Sequence, residues 1–251
     1  MMKKLGSALC ALPLLMSGYV QADFFSVALH LDSWQSKADG SFGQTGVMHP
    51  FDYKNKNQLA YGVTLEHPLP FIPNARLGYQ SLKHTASTEL DQTFALAGQQ
   101  FSVGSVLDAT LDLSHWDLVL YYEVLDNNLV ELDVGIQFKR LDGAAEVALA
   151  TSQSASRQTL DDTLPMLYAA GGVNIIGTGL QVFAELSGLT QGRHDVRAFR
   201  GGLSYNMMDT IALDAAVRLG YQSMQFTLDN MDGLSTDVDA KGVFAGLELR
   251  F

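Results

Sequence analysis

Between Val130 and Lys139 apolar and polar positions alternate without a break. Val130, Leu132, Val134, Ile136 and Phe138 stand on one side of the pattern, and Glu131, Asp133, Gly135, Gln137 and Lys139 on the other. A period of two places the two sets on opposite faces of a strand, and ten residues match a tilted strand that crosses a bilayer. Leu59 to Glu66 and Ile211 to Gln222 repeat the pattern. Their second face holds glycine, alanine and isolated charges of both signs, unlike the Lys-, Thr- and Glu-rich wet face of a soluble sandwich. A narrow barrel lumen holds such a face.

Segments of this kind recur ten times, at about 24–33, 57–67, 75–83, 108–124, 129–141, 163–175, 180–189, 195–206, 210–223 and 240–251. They predict an all-β fold, a transmembrane antiparallel up-and-down β-barrel of ten strands; eight strands, with two segments turned into loops, is the alternative. Tight links lie at 67–74, 125–128, 176–179 and 206–209, and a short one at Gln191-Gly192-Arg193. Links of about twenty residues or more follow the first, third and fifth segments, and one of about sixteen follows the ninth. Short periplasmic turns and longer external loops are the asymmetry of an outer-membrane barrel, which puts both termini in the periplasm. Asp126-Asn127-Asn128 suits a two-residue primed turn, because Asn tolerates positive φ. Pro68, Pro70 and Pro73 bar strand pairing, leaving Leu69, Phe71 and Ile72 for the lipid interface.

The C-terminus sharpens this reading. Val243, Ala245, Leu247, Leu249 and Phe251 alternate with Phe244, Gly246, Glu248 and Arg250 down to a terminal aromatic carboxylate. A lipid-facing last strand explains the alternation. The ladder ending in Phe also resembles the signal by which the barrel-assembly machinery recognises its clients. Run in the predicted directions, Tyr61, Tyr79, Trp116, Phe138 and Tyr221 fall near external strand ends, and Tyr122, Tyr205 and Phe251 near periplasmic ends. Rings at two levels form the girdles of a membrane barrel.

At the other end, Met1-Met2-Lys3-Lys4 is a basic start, Leu5 to Met16 is an apolar stretch too short to span a bilayer, and Val20-Gln21-Ala22 is a small-residue cleavage site. Residues 1–22 therefore read as a secretory signal peptide that is removed, and 23–251 as the barrel domain. The single cysteine, Cys10, falls inside the leader with nine residues before it, too few for the apolar region of a lipoprotein signal. A net charge of −11 leaves no basic face for a phosphate backbone, which argues against nucleic acid as a partner.

Several runs resemble a family. Pro68-Leu69-Pro70-Phe71-Ile72-Pro73-Asn74, Leu113-Ser114-His115-Trp116-Asp117 leading to Leu120-Tyr121-Tyr122-Glu123-Val124-Leu125-Asp126-Asn127, Pro165-Met166-Leu167-Tyr168-Ala169, and Gly242-Val243-Phe244-Ala245-Gly246-Leu247 look like an outer-membrane barrel family of Gram-negative bacteria. That family occurs in species with the GlyGly-CTERM and rhombosortase sorting system. The resemblance spans the chain beyond the leader and implies location and fold; it carries no catalytic residues.

Strand parity turns Glu66, Arg76, Gln80, Asp117, Tyr121, Glu123, Glu131, Asp133, Lys139, Glu185, Arg200, Asp214, Arg218, Glu248 and Arg250 inward. A ten-stranded lumen is only slightly wider than one that side chains fill, so these charges are expected to pair across it. Glu131 and Asp133 with Arg200 and Arg218 are the expected members, and loss of Arg218 is expected to widen a water path. A polar, side-chain-plugged lumen with a structural, binding or small-solute role is the main reading. A narrow, mildly cation-preferring pore is the alternative. An outer-membrane protease or lipid A-modifying hydrolase is the second, through His115 with Asp117 beside Ser114, His30 with Asp32, or His194-Asp195. Asp229, Asp232, Asp237 and Asp239 crowd one loop without EF-hand spacing, and Gly171-Gly172 precedes neither Lys-Ser/Thr nor a helix. No cofactor and no metal site is predicted. The expected surroundings are outer-membrane lipid and lipopolysaccharide, with the assembly machinery as a transient partner.

Overall fold

The computed structural model describes residues 25–44, 46–151, 155–210 and 212–251. The expected leader, residues 1–22, and Ile211 of the predicted ninth segment lie outside them. In chain order the strands are β1 (Ser26–Gln44), β2 (Val47–Phe51), β3 (Lys56–Glu66), β4 (Asn74–Gln80), β5 (Lys83–Glu89), β6 (Phe94–Leu96), β7 (Gln99–Phe101) and β8 (Val106–Asp112). They continue as β9 (His115–Asp126), β10 (Val130–Leu149), β11 (Ala155–Ile175), β12 (Leu180–Gln191), β13 (His194–Asp209), β14 (Asp214–Met231) and β15 (Leu234–Arg250).

Ten of them close a ring of antiparallel neighbours in the order β1, β3, β4, β9, β10, β11, β12, β13, β14, β15 and back to β1. The last residue completes the seam between first and last strand: Phe251 N donates to Val27 O at 2.9 Å, and Val27 N donates to Phe251 O at 3.1 Å. The start of β1 and the end of β15 thus meet at one rim.

Around that half of the ring the outward side chains are apolar and exposed, among them Leu31, Leu65, Leu77, Val134, Ile136, Leu186, Leu203, Leu219 and Leu247. So wide an apolar band is a lipid-facing surface rather than a wetted one. Tyr61, Tyr79 and Trp116 touch ring to ring at its far edge, with centroids 5.2 to 6.1 Å apart. Tyr122, Tyr205 and Phe251 stand exposed toward the rim where β1 begins and β15 ends. Val134→Arg in this band should lower stability by about 2–4 kcal/mol. Gln137→Arg, in the polar lumen beside Asp117, should cost less. Refolding titrations that rank the two the other way would reverse the faces.

The strands run well beyond the predicted segments, and an inversion of polarity explains why. On β1, Leu29 and Leu31 point out while His30 and Asp32 point in. Further along the same strand Trp34, Ala38 and Phe42 point in and are buried, and Lys37 and Asp39 are exposed. The facing parity never changes; the apolar residues switch face where the strand leaves the belt. Likewise β14 passes from outward Leu219 and Tyr221 to inward Met224, Phe226 and Leu228, and β10 from outward Ile136 and Phe138 to inward Leu141 and Val147.

Most described residues of the predicted long links after the first, fifth and ninth segments are therefore strand, and β14 and β15 are joined only by Asp232-Gly233. Asn230, Asp232 and Gly233 take φ of 56°, 50° and 82° in that turn. At Asn127 the predicted primed turn is replaced by an Asx turn, because the Asn127 carboxamide oxygen accepts from Leu129 N at 2.9 Å and Val130 N at 3.0 Å. Neither Asn127 nor Asn128 has positive φ. The third link holds β5 and β8, which extend β4 and β9 outward, and the β6–β7 hairpin. Phe94, Leu96 and Phe101 of that hairpin pack on Phe42, Phe51, Leu107 and Leu111 in one continuous apolar core. The three prolines of 68–73 stand between β3 and β4, with Leu69, Phe71 and Ile72 exposed.

Candidate functional site: a layered lumen

The inward parity of the belt strands builds the lumen in layers. At the rim where β1 begins and β15 ends lies a vestibule of about 260 Å³. Its lining holds Glu66, Glu123, Asp126, Glu131, Asp133, Glu185 and Glu248 against Arg76, Arg218 and Arg250, so its charge is negative. Tyr121 donates to Glu66 at 2.8 Å, and Arg250 lies 3.5 Å from the same carboxylate. Asn74 donates to Glu123 at 3.0 Å, and Gln181 donates to Glu131 at 2.9 Å. Asp214 sits at the mouth, where its carboxylate accepts from Thr210 N at 3.1 Å and fixes the turn into β14.

Above the vestibule an ion-pair layer spans the ring. Arg76 on β4 reaches Glu185 on β12 at 2.8 Å, and Arg218 on β14 lies 3.6 Å from Glu185 and 3.0 Å from Glu248. His30 approaches Glu248 at 3.4 Å. Arg200 on β13 pairs with Asp32 on β1 at 2.8 Å and stacks 4.0 Å over the Phe244 ring. A Cβ on Gly246 would collide with the Asp32 carboxylate, so only glycine at this position leaves room for the pair.

The arginines thus find partners other than the expected ones. Glu131 and Asp133 line the vestibule, whereas Arg200 lines the next cavity up, and a difference in height along tilted strands is invisible to parity. Asp32 and His30 belong to the layer although parity was not applied to them; the outward Leu29 and Leu31 on either side were the available signal.

A second cavity, of about 140 Å³, lies above the ion pairs. Gln222 donates to Gln80 across it at 3.2 Å, and Lys139 holds Asp117 at 2.8 and 3.0 Å. His115 Nε2 is 3.5 Å from Asp117, and its Nδ1 donates to Leu113 O at 2.8 Å. Ser114 Oγ is occupied as acceptor for Leu82 N at 3.0 Å. The adjacent Ser, His and Asp of the sequence are therefore held by separate partners, with His115 fully buried. Beyond this cavity the interior is the apolar core, led by Trp34, Phe42, Leu164 and Phe226.

A serine–histidine pair that spacing did not reveal lies in the outer half. His84 Nδ1 donates to Lys54 O at 3.0 Å, which leaves Nε2 to accept from Ser36 Oγ at 2.8 Å. Burial lowers the His84 pKa and keeps the ring neutral. Both residues are buried, so the pair serves the packing of β1 against β5. The four outer aspartates go to different partners: Asp229 to Arg193 at 2.7 Å, Asp232 to Asp161 N at 2.8 Å, Asp237 to Thr227 at 3.3 Å and Asp239 to Lys241 at 3.0 Å. Among the described residues no cluster of His, Cys, Asp or Glu is arranged to hold a metal ion.

No protein-family model matches the chain, and no curated protein does. Among solved structures, the outer membrane protease OmpT of Escherichia coli is 8% identical, with a TM-score of 0.46, over 90% of this chain and 97% of its own. Ail, the attachment invasion locus protein of Yersinia pestis, solved with the heparin analogue sucrose octasulfate, is 12% identical, with a TM-score of 0.38, over 91% of this chain and 100% of its own. The transport unit of the autotransporter AIDA-I from Escherichia coli is 9% identical, with a TM-score of 0.40, over 95% and 93%. At such distances the fold rests on the chain's own closed ladder of strands.

Proposed function

We propose that the chain is an integral outer-membrane β-barrel with both termini periplasmic, a lumen closed to solutes, and a structural or binding role without catalysis. The observation that carries this reading is the polarity inversion: apolar faces point outward through the belt and inward above it, as a strand passing from lipid to water requires. The tall, wet extension stands opposite the rim that holds the termini, which fits an external end. Closure is supported by two stacked seals, the ion-pair layer and the apolar core above the second cavity. Planar-bilayer recording of the refolded protein should show a nearly silent membrane.

A porin-like reading is favoured by the carboxylate-rich vestibule, and steady cation-preferring conductance would select it. For a hydrolase, His115 and the Ser36–His84 pair are buried, His30 is taken into the ion-pair layer beside Glu248, and the partly exposed His194 accepts from Asp229 N through Nδ1 at 3.3 Å.

The surroundings we infer are outer-membrane lipid and lipopolysaccharide, and the inferred transient partner is the assembly machinery, met through Val243, Ala245, Leu247, Leu249 and Phe251. Because Phe251 also bonds Val27 across the closing seam, deleting it should lower the heat-modifiable folded fraction in outer-membrane preparations. Undiminished insertion in cells would remove its role in assembly.

A further inference from the structure

The outward face of β15 and β1 passes from apolar to charged in a set order at the far edge of the belt. On β15 the exposed row Leu249, Leu247, Ala245 and Val243 gives way to Lys241, and Asp239 follows it. On β1 the outward positions run Ser33, Gln35, Lys37 and Asp39, with the Lys37 side chain 61% exposed. Register sets Lys37 directly opposite Lys241, and Asp39 directly opposite Asp239. The ion pairs of these lysines run along the strands instead: Lys37 lies 3.9 Å from Asp39, and Lys241 lies 3.0 Å from Asp239.

Like charges directly opposite on neighbouring strands work against a sheet, and exchanging Lys241 with Asp239 would turn both contacts into opposite pairs. A lysine on a strand often guards a free edge. Lys241 has none to guard, because it is paired on both sides, with Ser223 of β14 and Lys37 of β1. What the order does achieve is a segregation along the strands: apolar, then cationic, then anionic. Further donors stand round the two ammonium groups on the same face. Ser223 is the β14 partner of Lys241, and Tyr221 and Gln35 both partner Val243, one row nearer the belt. The carboxylates of Asp39 and Asp239 lie on the side away from lipid.

We propose that Lys37 and Lys241 form a docking site for the phosphate of a phosphorylated glycolipid in the outer leaflet. The site is continuous with the lipid-facing belt, so a lipid whose chains lie on Val243 and Leu247 brings its headgroup to this row without entering the protein. A phosphate monoester, with a charge of about −1.5 to −2 and three acceptor oxygens, answers both ammonium groups at once and offsets their mutual repulsion. Basic side chains just beyond an apolar belt draw anionic headgroups in this way. The site rests on the reading above, an outer-membrane barrel with its extension external, which heat-modifiable mobility reports separately.

The test is native mass spectrometry of the folded chain in zwitterionic micelles, titrated with diphosphorylated lipid A and, separately, with the same lipid stripped of its phosphates. EDTA in both series keeps divalent ions from bridging the lipid to Asp39 and Asp239. Saturable binding of the phosphorylated form is expected. Lys37→Gln with Lys241→Gln should weaken it by about tenfold, the loss that two exposed ion contacts imply. Lys37→Arg with Lys241→Arg should keep it. Lys83→Gln, which removes an exposed charge from β5 in the wet extension, should leave it unchanged. Absence of saturable binding, equal binding of the stripped lipid, unchanged affinity in the double glutamine variant, or an equal loss in Lys83→Gln would overturn the proposal.

Discussion

Arg218→Ala is expected to destabilise the barrel by about 3–5 kcal/mol and yet leave it electrically silent. The guanidinium lies between two carboxylates, 3.6 Å from Glu185 and 3.0 Å from Glu248, and 4.8 Å above the Phe183 ring. Its removal leaves both acids in an enclosed lumen with fewer partners. Arg76 still holds Glu185 and Arg250 still reaches Glu248, at 2.8 and 3.5 Å, which moves the expected loss toward the lower end of that range. Urea unfolding from lipid vesicles measures it. Conductance should stay at baseline because the apolar core, with Trp34, Phe42 and Phe226 buried to within 1% of full, closes the path above. This reverses the expectation drawn from parity alone, in which the arginine is itself the plug. A conducting Arg218→Ala barrel would restore that expectation.

The belt was legible because lipid demands strict alternation and a tight turn demands particular residues. Val130 to Lys139 and Val243 to Phe251 therefore read as strands at once. The outer half was not legible, for a definite reason: Trp34, Ala38 and Phe42 continue the parity of His30 and Asp32, but the apolar set has moved to the other face. A pattern keyed to outward apolar residues stops where the lipid stops and takes the rest for loop. Lumen membership could be read from the same alternation, hence Arg76, Lys139, Glu185 and Arg218. Partnership could not, since it depends on height across tilted strands. Ser36 and His84, 48 residues apart on different strands, meet only through that geometry.

Phe42→Ala is expected to cost about 3–5 kcal/mol, as much as truncation of a large aromatic in a soluble core. Phe42 is fully buried, stacks on Phe51 with centroids 4.4 Å apart, and meets Phe94 edge-on at 6.1 Å. These contacts join β1, β2 and the β6–β7 hairpin, none of which gains anything from lipid above the belt. Water is the solvent there, so burial itself must hold the extension together. The same truncation at Leu31, outward in the belt, should cost much less, because lipid fills the space and no cavity remains. The loss at Phe42 should therefore appear as faster proteolysis and hydrogen exchange in 34–51 and 90–107, while the belt keeps its heat-modifiable mobility. Stability within about 0.5 kcal/mol of wild type, the range of a neutral surface change, would mean that the extension is not a packed core. Collapse of the belt together with the extension would mean instead that the two halves fold as one cooperative unit, with the aromatic cluster as its anchor.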